Sequence, residues 1–280
     1  MSIELVNKYQ PYTDEQFKAE SRISLVTNKD FEWTGAHSIK VYKISTASMN
    51  DYGRTGPITG NWSRYGAISD LSATTEEMTT TKDRSFIFNI DKLDEDETAR
   101  QLSAASALAR QTREKIIPEV DTYTYGVMAA GAGTKAEAKV LTAADIYEDI
   151  TAGTEVMDNE EIPETERVII VTPAVYRLMK RSPEIAMETD IGHEMRLKGV
   201  IAMLDGMAVQ KVPAVRLPDA FGFMIAHPSA TVAPVKLEDY NIHENTIYGS
   251  GAVVTGRICY DAFVLENKKK GIYYQPATVE

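Results

Sequence analysis

One cysteine in 280 residues excludes an intramolecular disulfide and any multi-cysteine metal site. Cys259 lies in Arg257-Ile258-Cys259-Tyr260, a strand-like stretch with no histidine near it in sequence, so a buried and inert thiol is expected. Histidine is sparse as well. His37, His193, His227 and His243 are far apart, and His193-Glu194 has no second histidine to complete a zinc motif. His227 precedes Pro228 at a strand end, where a structural hydrogen bond is the expected role. There is no G-x-S-x-G nucleophile elbow. Glu76-Glu77 and Glu160-Glu161 sit in polar stretches and read as solvated surface. No window approaches the roughly 18 consecutive apolar residues of a membrane span. Met1 to Gln10 mixes Glu4, Asn7 and Lys8 where a secretory signal needs an apolar core. The expectation is a protein of a cytosol-like compartment with no cofactor, no metal and no catalytic residues.

Positive charge is also in deficit. Thirty Lys and Arg face 41 Asp and Glu, giving a net charge of −11 and a pI near 5.0. Nucleic-acid binders draw most of their affinity from cations on phosphates, so such a chain could enclose nucleic acid but would not grip it. The compact basic run Lys268-Lys269-Lys270, followed by Gly271, reads as a solvated turn. Gly131-Ala132-Gly133-Thr134-Lys135-Ala136 matches the G-x-G-x-x-A fingerprint in letters. A helix leads into it where a strand is required, so a C-cap and turn is the better reading.

What the chain does contain is 43% hydrophobic and 25% charged residues, enough for one or two globular domains. The stretch to about Gly35 has no sustained apolar face beyond a short helix expected over Asp14 to Ser21, and reads as an arm laid over another surface. Strands are expected at Ser38–Ile44 and at Ser85–Ile90, where Phe86, Phe88 and Ile90 share a face. Between them lies a long polar stretch with Gly53, Gly56, Pro57, Gly60, Gly66 and threonines 74, 75, 79, 80 and 81. Loops beyond roughly 12–15 residues are uncommon in compact domains. The two strands could form a projecting hairpin arm resting on a neighbouring subunit, and a surface loop stays equally open.

The acidic run Asp91, Asp94, Glu95, Asp96, Glu97 suits a helix N-terminus. From it Leu102, Ala105, Ala109, Thr112, Ile116, Val120, Tyr123 and Val127 recur at steps of three and four. This predicts a helix to about Ala130, on the order of 50 Å long and interrupted or kinked at Pro118. Small residues on that face argue against a coiled coil and for a helix lying across a sheet. A helix over Ala143–Ile150 capped by Thr142, a buried strand at Arg167–Val171, a helix over Ala174–Lys180 capped by Thr172, and strands at Met207–Val212 and Phe221–Ala226 predict an α/β section. Met179, Met187, Met195, Met203 and Met207 fit a core or an adaptable surface. Strands at Thr231–Ile242, Ala252–Glu266 and Gly271–Tyr274 close the chain.

This order of elements resembles the major capsid proteins of tailed bacteriophages, the Hong Kong 97-like fold. The pieces that carry the resemblance are Phe86-Ile87-Phe88-Asn89-Ile90-Asp91-Lys92-Leu93-Asp94-Glu95-Asp96-Glu97, similar to the family's passage from extended loop into spine helix, and Gly256-Arg257-Ile258-Cys259-Tyr260-Asp261-Ala262-Phe263-Val264-Leu265, similar to its C-terminal strand. The resemblance implies an α+β fold with an N-terminal arm (1–37), an extended β-hairpin arm (38–91), a peripheral domain with the spine helix (92–166), an axial domain (167–229), a peripheral β-hairpin (230–266) and a C-terminal strand returning to the axial domain (267–280). It implies pentamers and hexamers of this chain tiling an icosahedral shell around double-stranded DNA, in a virion assembled in the bacterial cytoplasm. The hairpin arm of one subunit would lie over the next, with Arg54, Arg64, Lys82, Arg84, Glu244 and Asn245 at contacts between subunits. Only a few dozen residues precede the arm, so a separate scaffolding protein, together with a portal, is the expected set of partners. Lysine–asparagine crosslinks occur in some members, but nothing in the sequence assigns them to Lys40, Lys43 or Lys82. An encapsulin-type nanocompartment shares the fold, though its subunits are more compact than the long arm here suggests. A cytosolic α/β enzyme with a phosphate-binding turn at Gly131–Ala136 is the rival of another class.

Overall fold

A computed structural model describes residues 21, 23–28, 38–57, 62–93, 103–187, 203–244 and 250–278. The chain divides into two compact units, residues 35–80 and the remainder. The helix expected over Asp14–Ser21, and the acids at 94–97, lie outside the described residues.

In the smaller unit, β1 (Ser38–Ile44) pairs antiparallel with β2 (Ala73–Thr79), Ser38 opposite Thr79 and Ile44 opposite Ala73. This corrects the expected hairpin, in which the partner of β1 was the strand at 85–90. Threonine is β-branched and fits a pleated surface, so Thr74, Thr75 and Thr79, read as loop, belong to the ladder. Lys43 and Glu76 pair at 3.2 Å and Lys40 and Glu77 at 3.7 Å across it.

In the larger unit, β3 (Lys82–Asp91) is an edge of a three-stranded antiparallel sheet whose other members come from the far end of the chain. Lys92 and Leu93 already begin a helical turn at the acidic run, whose residues 94–97 lie outside the described residues, and a long helix follows. Ser103, in extended conformation, caps it by accepting from the Ser106 N–H. Helix α1 (Ala104–Gln111) passes through a π-turn (Thr112–Ile116) into α2 (Ile117–Gly131), about 40 Å in all. Pro118 neither breaks nor splits it. Proline lacks an N–H and crowds the carbonyl four residues back. The widened turn just before it, in which the Ile117 N–H reaches the Thr112 carbonyl, accommodates that crowding within a continuous helix.

The buried face of α2 is also rotated from the expected apolar stripe. Asp121, Thr124, Tyr125, Met128 and Ala129 are inside, while Ala105 and Ala109 are exposed. The reason is polar. The Arg216 guanidinium donates to Asp121 at 2.6 Å and Ser21 Oγ to its other oxygen at 2.6 Å, and Gln210 donates to the Tyr125 hydroxyl at 3.0 Å.

After α2 come β4 (Thr134–Lys135), α3 (Ile146–Asn159), β5 (Val168–Val171), α4 (Pro173–Arg181), α5 (Pro183–Met187), β6 (Met203–Leu204), β7 (Met207–Lys211) and β8 (Phe221–Ala226). Thr172 caps α4 as expected, accepting from Val175. Thr142 lies one turn before α3, which starts at Ile146 and not at Ala143; it accepts from the Asp145 N–H. Then follow β9 (Thr231–Val232), β10 (Val235–Glu244), β11 (Gly251–Tyr260), β12 (Phe263–Val264) and β13 (Ile272–Pro276). The strand expected to run on to Glu266 stops at Tyr260, and the lysines at 268–270 form an exposed 3-10 turn.

A mixed six-stranded sheet, β4-β13-β8-β5-β7-β6, is the centre of the larger unit. Alternation along β5 explains its continuous apolar run. Val168 and Ile170 pack with Tyr125 and Met128 of α2, whereas Ile169 and Val171 pack with Ile146 and Ile150 of α3 and with Val175 and Met179 of α4. Met179 and Met207 are core, Met203 is exposed, and Met195 lies outside the described residues. Asp205 and Gly206, both at positive φ, turn β6 into β7.

The second sheet has the order β10-β11-β3, with Gly256 of β11 opposite both Phe86 and Tyr240. A Cβ on Gly256 would lie 2.2 Å from the Phe86 ring and 2.9 Å from that of Tyr240, so the two aromatics cover the space only glycine leaves. Cys259 on this strand is half-buried, more accessible than its apolar neighbours suggested.

Removing one partner of a buried ion pair strands the other charge. Arg216→Met is therefore expected to cost about 3–5 kcal/mol in urea unfolding, and Arg216→Met with Asp121→Leu to recover much of that loss.

Candidate assembly surface

The smaller unit is built from two strands and a long connection, and although Met78 is buried, most of its large side chains are open. Tyr42 is 72% exposed, Trp62 79% and Tyr65 77%, and Ile44, Ile68 and Leu71 are similarly open. Large exposed apolar groups gathered in one small unit are the kind of surface that association covers. The connection is nonetheless ordered by polar contacts. Ser45 and Ser72 exchange bonds beyond the last strand pair, the Gly53 N–H donates to the Arg64 carbonyl at 2.9 Å, and Tyr52 meets Tyr65 edge-on at 5.1 Å. Arg54 and Arg64 are exposed here, with no ion-pair partner for either guanidinium among the described residues.

Where the larger unit begins again at Thr81, the chain is fixed by one carboxylate. Asp261 Oδ2 accepts from the Thr81 N–H at 2.7 Å and its hydroxyl at 2.9 Å, and Oδ1 accepts from the Tyr123 hydroxyl at 2.7 Å and the Ala262 N–H at 2.8 Å. Asp261 is buried, so its charge is held by hydrogen bonds from neutral donors. Lys82 lies over the Tyr123 ring, 5.0 Å from its centroid. Arg84 pairs with Glu119 of α2 at 2.8 Å, and Glu119 also accepts from the Tyr260 hydroxyl at 3.1 Å. Arg84, Glu119 and Tyr260 line a cavity of about 270 Å³ between the helix and β3, together with Phe86, Gln111 and Ile116, the last residue of the π-turn. On the opposite face of this sheet Arg257 and Asp83 form a two-pronged pair open to solvent, which solvent screening makes weak.

The contact residues expected from the sequence therefore separate. Arg54 and Arg64 belong to the smaller unit. Lys82 and Arg84 share one face of β3, occupied by internal partners, and Glu244 ends β10, fully exposed. Asn245 lies outside the described residues. Sequence reasoning passed over the exposed aromatic and aliphatic side chains of residues 42–71. It also passed over Asp261, although a lone acid between Tyr260 and Ala262-Phe263 is the pattern of a buried, satisfied carboxylate.

Elsewhere, His227 does the structural work expected, its Nδ1 2.8 Å from Ser229 Oγ. Gly131 is the last residue of α2 and Ala132 its C-cap; Gly133 follows in a bend, its N–H donating to the Lys269 carbonyl at 2.8 Å, and a strand, not a helix, comes next. Among the described residues no group of His, Cys, Asp and Glu is placed to hold a metal ion, and no helix is long and apolar enough to cross a membrane.

No protein-family model matches the chain, and no curated protein matches it in sequence. Solved structures do match, over nearly its full length. The capsid structure of the cyanophage P-SCSP1u aligns with a TM-score of 0.77, covering 99% of this chain and 94% of that chain at 13% identity. The fold is that of phage capsid chains. The mature capsid of bacteriophage PhiM1 aligns with a TM-score of 0.77 over 99% of this chain and 93% of that one, at 13% identity. A chain of Mycobacterium phage Che8 aligns at 0.72, covering 98% and 97%, with 16% identity. The resemblance seen in the residues thus holds for the fold.

Burial, aided by Asp261, raises the Tyr123 pKa; burial with the nearby Glu119 raises that of Tyr260, and burial foremost those of Tyr240, Tyr273 and Tyr274. Each folded phenol holds its proton above the ordinary value of about 10, where the unfolded chain releases it. Stability from these groups is complete below pH 10 and is lost as pH rises beyond it, which a pH series of urea unfolding should register. Asp261→Ala leaves the Thr81 and Ala262 N–H groups and the Tyr123 hydroxyl unpaired. It is expected to destabilise the larger unit by on the order of 3 kcal/mol in the same assay at pH 7.

Proposed function

We propose that this chain is a major capsid protein whose copies assemble into an icosahedral shell enclosing double-stranded phage DNA. The observation that carries the reading is the 35–80 unit. A two-stranded ribbon is marginal in water by itself, and this one bears exposed Tyr42, Ile44, Trp62, Tyr65, Ile68 and Leu71. Such a surface is stable and soluble when covered by another copy.

In this reading residues 38–80 are the arm that reaches the next subunit, the helix Ala104–Gly131 is the spine of a peripheral domain, and the 167–229 section is an axial domain facing the capsomer centre. Arg54, Arg64, Lys82, Arg84, Glu244 and Asn245 lie at or near contacts between subunits. The partners are further copies of the chain in pentamers and hexamers, a scaffolding protein and a portal, with assembly in the host cytoplasm. A net charge of −11 suits a container that confines DNA without gripping it. The phage origin of the matching structures favours a genome shell over a protein-cargo compartment.

The experiment replaces residues 46–71 by an Asn-Gly turn joining Ser45 to Ser72. Native chain, co-expressed with its scaffolding partner, is expected to give closed particles by negative stain and a mass far above one subunit by light scattering. The shortened chain should keep the unfolding midpoint of the larger unit yet stay small. A native chain that remains a monomer or dimer at high concentration with scaffold present would sink the reading.

A further inference from the structure

Among the outer strand edges of the described residues, two are complementary. β10 is the outer strand of the order β10-β11-β3. Antiparallel pairing directs the backbone groups of alternate residues to alternate sides. The Lys92 N–H donates to the Ser250 carbonyl at 3.1 Å, so the even-numbered residues of β11 bond toward β3 and its odd-numbered residues toward β10. With Thr255 opposite Asn241, the odd residues of β10 answer them. The outward backbone groups of β10 are therefore those of its even residues, including Tyr240, Ile242 and Glu244. Their side chains share one face.

The same reasoning applies to β1. The Ser45 N–H donates to the Ser72 carbonyl at 2.9 Å, so the odd residues of β1 bond to β2 and the outward groups belong to Lys40, Tyr42 and Ile44. Neither edge has a proline, a bulge or inward-pointing charge at these positions, the devices by which proteins block edge pairing. Tyr42 and Ile44 are among the most exposed large apolar residues of the chain, and Ile242 is 40% exposed.

We infer that β1 of one copy adds to the free edge of β10 of another, antiparallel, with Lys40 opposite Glu244, Tyr42 opposite Ile242 and Ile44 opposite Tyr240. In that register outward residues meet outward residues, as a bonded antiparallel pair requires, and their side chains fall on a common face. A lysine meets a glutamate, and both remaining pairs are aromatic on aliphatic, the combinations that stabilise neighbouring strands. A shift by one residue would set outward against inward groups. A shift by two would bring Ile44 or Tyr42 against a glutamate. The mode is strand addition, in which the backbone supplies affinity and the alternate side chains supply register. It deepens the shell reading and rests on it, by naming what the arm binds on its neighbour.

Charge exchange tests it on exposed side chains that leave the core untouched. Lys40→Glu and Glu244→Lys, each alone, set like charges opposite one another and are expected to lower the yield of closed particles by about tenfold at fixed subunit concentration. Carried together in one chain, they should restore it. A second measurement uses Tyr42→Cys with Ile242→Cys in a Cys259→Ser background, since bonded antiparallel pairs hold their Cα atoms at about 5.5 Å, within disulfide reach. Oxidised particles should then run as a ladder of linked chains on a non-reducing gel, and as one band after reduction. Single exchanges that assemble like the native chain, or particles whose oxidised chains stay monomeric, overturn the strand pairing and leave the shell reading intact. A native chain that never forms particles overturns both.

Discussion

A carboxylate inside the protein joins three stretches of chain that lie far apart in sequence. Asp121 sits on the long helix, takes a charge-assisted bond from Arg216 beyond β7, and takes a second from Ser21. The penalty for burying these charges is offset only while both partners are in register, so the contact works as a lock with one setting. Tyr125, one turn on, repeats the arrangement through Gln210. With the rotation of α2 fixed by these polar bonds, Met128 and Ala129 meet the face of the six-stranded sheet that Val168 and Ile170 present. The packing of that sheet and the position of the helix end at Gly131 follow from the same setting.

The contrast between the two units is one of satisfaction. In the larger unit the sheet is covered on both faces, and Asp261 spends its acceptor capacity on four nearby donors. In the smaller unit two strands bond each other and leave aromatic and aliphatic groups open. Folding accounts for the first condition. The second is a free energy left unrealised in the isolated chain, which burial of those groups would realise.

Much of this was legible in the sequence. The apolar run at 168–171 gave a buried strand, Thr172-Pro173 gave a capped helix, and Phe86-Ile87-Phe88 gave an exposed-face alternation, because each signal is local. The misreadings have a common cause in contacts made at long range. Asp121 and Thr124 were left out of the helix's inner face because their burial depends on partners such as Arg216, nearly a hundred residues on. The partner of β3 is β11, across most of the chain, so pairing it with β1 was the shorter and wrong choice. Ser103 caps the helix that starts at Ala104 through a hydroxyl three residues from its target N–H, a local signal that the acids upstream drew attention away from. The threonines of β2 read as a loop because three of them stand among Glu76, Glu77 and Met78, a pattern strands and loops share. Of the candidate surface, the charged residues were visible and the exposed apolar ones were passed over.

The π-turn at Thr112–Ile116 also bears on how this chain can change over generations. Each residue in a helix advances it by about 100° around the axis. A single-codon deletion in that turn would let an ordinary helix form, and would swing all of α1 by that angle against β11. A single-codon insertion elsewhere in α1 would do the reverse. The turn therefore acts as a phase adjuster between two halves of one helix. Lineages of this chain could use it to alter the face α1 offers, while the Asp121 lock keeps α2 where it is.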